Sequence, residues 1–537
     1  MIGGNNIKKW DTLSHNGPLF PTPYEPHNIP VLYNNEEISL LPESEEIATL
    51  YAKLLENTVI ENKTFRKNFW NDWKKYLSKD SKIKDLDNCD FSLIYNDYIK
   101  KKDILKNLPK EEKERIKNIR EKNEEKYKFC IIDGKTEKVG NYKIEPIGIF
   151  MGRGTNPKLG RIKPKILPED VTINLDVNAT IPEPSLKGHK WKKVVHDNTA
   201  IWLASWKDEI TGKQKYIFTS HESEFKSQSD EKKFDRARKL KTIIKKIRLN
   251  NNKNIISSDE KVKQLATALY LIDNLALRVG SQKNSKGADT VGVSSLRFEH
   301  LKLLDNNYIK LDFLGKDSIR YCNKVKVTDE VYKNLKDFLS DKEKRDHIFN
   351  LISSQSLNDY LKSFMEKLTS KVFRTYNASE TFQKNLLKID NDKIEKLSDN
   401  ERINFLINLI NQANAEVAIL CNHQKAVSTT FKNQISKIDD KIKESKKKMK
   451  TIKAKNSKKQ KERIKKLKEK IKIMKMRKKT KNKMKTVSLG TSKDNYIDPR
   501  IIVSFMKKYD IPIEKIFTKT SQKRFEWAMD ISKDYLF

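Results

Sequence analysis

Ser492-Lys-Asp-Asn-Tyr496-Ile-Asp-Pro-Arg500 reads as a short polar loop that holds one tyrosine and leads into an apolar, helical segment. Tyrosine is a weak nucleophile: with an ordinary pKa of about 10, roughly one phenol in a thousand is ionised at neutral pH. Cationic neighbours lower that pKa, and the same cations neutralise charge on a phosphate under attack. The chain supplies such cations upstream. Taken alone, Tyr496 is one of 18 tyrosines, and an ordinary tyrosine caps or packs. Its surroundings decide the matter.

Working back from it, residues 441–485 hold 24 Lys+Arg against three Glu, a net of +21 and more than half of the chain's formal +39. Ile435, Ile438, Ile442, Met449 and Ile452 fall on one heptad stripe, and Ile464, Leu467, Ile471 and Met474 on a second. With the polar break Lys455-Asn-Ser-Lys-Lys459 between them, the pattern predicts two helices in an antiparallel hairpin, steadied by a polyanion. His423 ends the apolar run from Ala418, the ordinary place of a core histidine. Lys371 and Arg374 are one helical turn apart and can face the same anion. Alternation over Tyr308–Gly315 and Lys316–Val327 predicts a β-hairpin with Lys316 and Asp317 at its tip. Val262, Leu265, Leu269, Ile272, Ala276 and Val279 step by three and four, which predicts a helix with Arg278 in its last turn and Gly280 as its stop. An arginine there ordinarily compensates the helix dipole.

Residues 130–206 carry short alternating segments and turn residues, the signature of strands. Among them, the glycines of Gly152-Arg-Gly-Thr-Asn-Pro-Lys-Leu-Gly160 would let the backbone approach a phosphodiester while Arg153 and Lys158 reach it. The order is not that of a Walker A loop. Residues 110–128 are almost all charged, with Glu and Lys at i,i+4, a solvated helix. Phe69, Trp70 and Trp73, on a helix over 65–77, read as a packed face in preference to a nucleic-acid surface. Residues 1–60 are proline-rich before a helix over 44–56.

A chain of 537 residues exceeds one core, and two to four domains are expected. The excess of 111 Lys+Arg over 72 Asp+Glu points to a polyanion, nucleic acid first and an anionic membrane surface as its rival. Cys89, Cys130, Cys322 and Cys421 show no CxxC spacing, which predicts a reducing compartment without disulfides or zinc. No apolar run approaches the ~18 residues of a membrane span and no signal peptide opens the chain, so a soluble intracellular protein is expected. No metal or nucleotide motif is present and no cofactor is expected.

SKDNYIDPR at 492–500, IPIEKIF at 511–517 and FEWAMD at 525–530 together resemble the C-terminal domain of eukaryotic type IB DNA topoisomerases. The likeness extends back to about Lys9. It implies a multidomain α+β fold, a DNA-encircling clamp. Its parts would be a mixed N-terminal lobe at 1–223, a mostly helical, tyrosine-recombinase-like catalytic lobe at 224–426, an antiparallel coiled-coil linker at 427–485 and a small helical C-terminal domain at 486–537. It makes Tyr496 the nucleophile and Arg278, Lys316, Arg374 and His423 its catalytic partners, with Arg153, Lys158, Lys371, Asp317 and Asn495 on DNA. It implies relaxation of supercoiled double-stranded DNA through a 3′-phosphotyrosyl intermediate, without ATP or a required metal, by a monomer in the nucleus. The family usually carries a long charged N-terminal extension with import signals, whereas this chain starts almost at the core. Two other readings stay open: a tyrosine recombinase that exchanges strands at specific sites, and a basic DNA-binding scaffold without catalysis.

Overall fold

The computed structural model of the chain describes residues 8–280, 288–395, 397–425, 427–453 and 458–537. They form a mixed α+β protein in two units, the first mainly residues up to Lys226 and the second mainly residues from Ser227 on.

Alternating runs are short in the first unit, so its sheets are small. Leu13–His15 pairs antiparallel with Phe129–Ile132, which pairs in turn with Lys135–Lys138. Thr172–Asn174 lies between the parallel strand Lys193–Val195 and the antiparallel strand Trp202–Lys207, whose other neighbour is Gln214–Phe218. Inward residues such as Trp10, Leu13, Ile173, Leu203 and Ile217 share one core. A second core collects Ile47, Tyr51, Phe65, Phe69, Trp73 and Phe91. Phe65, Phe69 and Trp73 step by four along the helix Lys63–Trp73 and are fully buried, so this aromatic stretch is a packed face, each ring contributing about 2–3 kcal/mol of burial. Gly160 has φ of +87°, and a Cβ there would collide with the Phe65 carbonyl oxygen. Packing of its loop on this helix therefore requires the glycine, a reason apart from any approach to phosphate.

The second unit is mostly helical around one core. The helix Glu224–Ile255 buries Phe234, Ala237, Leu240, Ile244 and Ile247, a three-and-four spacing that lays one stripe inward. Asp259 caps the next helix, Glu260–Leu275, by accepting from the Lys261 and Val262 amides. Three antiparallel strands follow, Leu301–Leu304, Tyr308–Leu314 and Arg320–Lys326. The expected hairpin is the last two, with Ile309, Leu311 and Phe313 alternating inward. Ile497, Ile501, Phe505, Phe517, Phe525 and Phe537 lie in the same core as Phe373, Phe382 and Leu406. Arg500 pairs with Asp498 and Asp235, and Arg524 with Asp230, which ties the C-terminal residues to the helix Glu224–Ile255.

The basic stretch is two helices, Phe431–Lys453 and Lys458–Lys483, in contact through Ile438, Ile442, Ile471 and Met474. Lys478, late in the second, meets Asp439, early in the first, at 2.7 Å, so the two run antiparallel. The break expected at 455–459 lies largely outside the described residues. Lys472 pairs with Glu401 at 3.3 Å, and Arg477 and Thr480 hydrogen-bond Asn404 and Asn408, which docks the second helix on Asp399–Leu420. Among the described residues no helix is long and apolar enough to cross a membrane.

Candidate active site

Helical hydrogen bonding runs into the tyrosine stretch. Leu489–Asn495 is a short helix, and the amides of Tyr496 and Ile497 both donate to the Ser492 carbonyl, at 2.9 and 3.0 Å. The segment read as a loop from Ser492 is thus helical as far as Asn495, and Tyr496 ends it. The helix Pro499–Lys508 begins three residues later, with proline in its first turn and Asp498 accepting from the Arg500 amide at 3.0 Å. Ser379, on the helix Ser370–Leu386, donates to the Tyr496 carbonyl at 3.3 Å and accepts from the Asp498 amide at 3.0 Å. Hydrogen bonds on both sides hold the tyrosine between two helix ends.

Arg278 comes to it from outside a helix. Glu260–Leu275 stops at Ala276, whose φ of 48° is left-handed, so Arg278 lies beyond the helix end and the reading of it as a last-turn residue stopped by Gly280 is corrected. Its segment is held differently. The Arg278 and Val279 carbonyls accept from the Val293 and Ser294 amides at 2.9 and 2.7 Å. Gly280, at φ of +81°, and Gly292 approach so closely that a Cβ on either would collide with the other's backbone. From this segment Arg278 Nη2 donates to Tyr496 Oη at 3.0 Å.

Arg374 is 4% exposed. It donates to the Ala276 carbonyl and, at 3.1 Å, to the Cys421 carbonyl, while its guanidinium carbon lies 5.2 Å from the Tyr496 ring centroid. Among the described residues its Nε has no hydrogen-bond partner. Among the described residues no carboxylate pairs with it, and a buried guanidinium so placed favours an incoming anion.

His423 follows the helix Asp399–Leu420, fixed by its amide on the Ala418 carbonyl at 2.7 Å and by the Ser488 amide on its own carbonyl at 2.8 Å. The ring is buried 4.9 Å from the Tyr496 ring, with Nδ1 2.7 Å from Ser492 Oγ and Nε2 without a partner among the described residues. Burial first, then the Arg374 and Arg278 charges, push its pKa down to about 3, so the imidazole is neutral at physiological pH.

Arg278, Arg374 and His423 thus all touch Tyr496. Lys316 does not: it stands exposed at the turn Gly315–Ile319, where Asp317 takes φ of 66°. The strand beyond that turn is anchored beside His423, because Asn422 Nδ2 donates to the Arg320 carbonyl at 3.2 Å. Asp317 is exposed on the same tip, and Asn495 is exposed with its amide on the Thr491 carbonyl at 3.3 Å. Lys371 is exposed one turn before Arg374. Arg153 and Lys158 belong to the first unit, Arg153 exposed and Lys158 half-buried with its ammonium on the Ile210 carbonyl. Sequence reasoning missed Ser379 and Ser492. No local pattern marks a serine as the partner of a residue 117 or 69 positions away.

A phenol oxygen facing one guanidinium, with a second on its ring face and an imidazole alongside, suits capture of a tetrahedral anion. Three family models match in succession. Eukaryotic DNA topoisomerase I, DNA binding fragment, covers residues 8–219; eukaryotic DNA topoisomerase I, catalytic core, covers 222–456; and the C-terminal topoisomerase domain covers 468–537. DNA topoisomerase 1 of Caenorhabditis elegans is 44% identical over 557 residues, 98% of this chain and 68% of that one. The chain belongs to the eukaryotic DNA topoisomerase I family. The Homo sapiens topoisomerase 1 is 42% identical over 558 residues, 98% of this chain and 72% of that one. DNA topoisomerase 1 beta of Arabidopsis thaliana is 43% identical over 562 residues, and the chain spans 60% of its length. Arg278, Lys316, Arg374 and His423 fall within the match to the topoisomerase I catalytic core, and Tyr496 within that to the C-terminal topoisomerase domain.

Proposed function

We propose that this topoisomerase I family member relaxes supercoiled double-stranded DNA by transient cleavage of one strand. The observation that carries the reading is Arg278 Nη2 on Tyr496 Oη at 3.0 Å, with Arg374 and His423 around the same ring. Tyr496 Oη bonds to the phosphorus of a phosphodiester as its proton passes to solvent. The bond from phosphorus to the 5′ oxygen breaks, that oxygen takes a proton from Lys316, and the DNA 3′ phosphate stays esterified to Tyr496. Charge that builds on the non-bridging oxygens meets the permanently charged forks of Arg278 and Arg374 and a donor from His423. The phosphotyrosyl ester conserves the energy of the broken bond, so resealing is the same step reversed and uses no ATP. Between the two, the free 5′ strand turns about the intact one.

The same reading assigns Arg153, Lys158, Lys371, Asp317 and Asn495 to DNA contact and has a monomer close on the duplex as a clamp in the nucleus. Its catalytic lobe is of tyrosine-recombinase type, and the basic hairpin is a coiled-coil linker that brakes rotation by engaging phosphates. Negatively supercoiled plasmid incubated with the protein in EDTA, without ATP, is expected to run to a ladder of relaxed topoisomers. No relaxation, with magnesium or without, would leave a DNA-binding scaffold.

A shorter variant separates the linker from the chemistry. The Lys425 amide donates to the Thr486 carbonyl at 2.9 Å, and Gln424 bridges Val487, so the hairpin leaves and returns at one place. Deleting residues 437–485 is expected to preserve covalent cleavage and weaken DNA binding. The log-log dependence of affinity on salt should flatten by about 0.9 for each phosphate that the shortened chain no longer neutralises. Complete loss of cleavage would mean that the hairpin positions Tyr496.

A further inference from the structure

We infer that Ser492 sets the tautomer of His423: its hydroxyl donates to Nδ1, which places the ring proton on Nε2, the nitrogen left free for a phosphate oxygen. The inference rests on the proposed reading of the site and adds a positioning residue to it.

Ser492 is 0% exposed. Among the described residues its Oγ has one hydrogen-bond partner, His423 Nδ1 at 2.7 Å. A hydroxyl has one proton to give, and a neutral imidazole has one nitrogen that donates and one that accepts. Were Nδ1 protonated, it would donate to Oγ, and the serine's own hydrogen would face a dry interior with no acceptor. With the hydroxyl donating instead, both atoms are satisfied, which is the rule for buried polar groups.

The consequence falls on Nε2, a buried atom without a partner among the described residues. In the inferred tautomer it is an N–H awaiting an oxygen; in the other it would present a lone pair to a phosphate and repel it. Charge does not supply the missing proton, because burial and the two arginines keep the ring neutral down to about pH 3. The hydrogen bond at Nδ1 therefore decides what Nε2 can do. Through its carbonyl Ser492 also holds the amides of Tyr496 and Ile497. A single helical turn thus carries the nucleophile and prepares the histidine.

The test uses the full chain labelled with nitrogen-15 histidine. Its eight histidines give resolvable ring signals, and that of His423 is the one that disappears in His423→Ala. At neutral pH the wild type is expected to show His423 with Nε2 protonated and Nδ1 bare, and Ser492→Ala a mixture of tautomers. In single-turnover cleavage of a nicked duplex, Ser492→Ala is expected to be about tenfold slower, the usual effect of removing a group that orients a working ligand. DNA affinity should be unchanged, and adding Ser492→Ala to His423→Ala should slow that variant no further. A protonated Nδ1 in the wild type overturns the inference even if Ser492→Ala does not fold. So does cleavage by Ser492→Ala within about twofold of wild type, or a further tenfold drop on top of His423→Ala. If the wild type itself cleaves nothing, the reading of the site fails, and the spectrum still decides the tautomer.

Discussion

Tyr496→Phe is expected to relax no plasmid and to form no covalent complex, while binding duplex DNA as tightly as the parent chain. The ring is kept, and with it the packing against Arg374 and His423. The folded state loses one half-exposed hydrogen bond from Arg278, about 1 kcal/mol, so the melting temperature should move by a few degrees at most. In the proposed reaction, catalysis loses the oxygen that bonds to phosphorus, and neither guanidinium nor imidazole replaces it in a transesterification that conserves the ester. Gel relaxation, filter binding and thermal unfolding of the one variant check all three statements. Relaxation by the phenylalanine variant would put the nucleophile elsewhere.

The second large effect separates two arginines that are alike in chemistry and different in setting. Arg374→Ala and Arg278→Ala should each slow single-turnover cleavage by about 10²–10³, the usual effect of removing one preorganised donor to a developing anion. Their stabilities should part. Arg374 is buried and bonds the Ala276 and Cys421 carbonyls, so its removal opens a cavity and strands two acceptors, for about 3 kcal/mol. Arg278 is half-exposed and donates to the phenol; its removal should cost about 1 kcal/mol or less. Arg374→Lys is not expected to restore either property, since one ammonium cannot span two carbonyls and cover a ring face. Denaturant unfolding alongside the kinetics checks the difference, and equal stabilities would show that Arg374 is not the buried post described.

What is legible in the sequence is what repeats locally. Phe69 and Trp73 announce a buried helix face, with Trp70 beside them only partly buried, Ile309, Leu311 and Phe313 a strand by alternation, and Ile438, Ile442, Ile471 and Met474 a pair of basic helices by heptads. The site is not local. The helix before Arg278 ends earlier than its pattern predicts, because the apolar stripe continues to Val279 while the backbone turns left-handed at Ala276. The close approach of Gly280 and Gly292 then shapes the segment, and no window around residue 278 contains it. The tyrosine stretch reads as a loop because its residues are polar, yet the Ser492 carbonyl closes a helical turn on Tyr496. Ser379 carries no signal, and Ser492, though it opens the tyrosine motif, nothing that marks it as the partner of His423, since a serine is set apart only by what the fold brings within hydrogen-bonding reach of it.

In the proposed reaction the oxygen of Tyr496 becomes joined to a DNA 3′ end. Stopping the reaction with denaturant, digesting the protein, and sequencing the peptide that carries nucleotide by mass spectrometry identifies the residue that is joined and the end it holds. A single adduct is expected, on Tyr496, through a 3′ phosphate. An adduct on any other residue, or one through a 5′ phosphate, would contradict it.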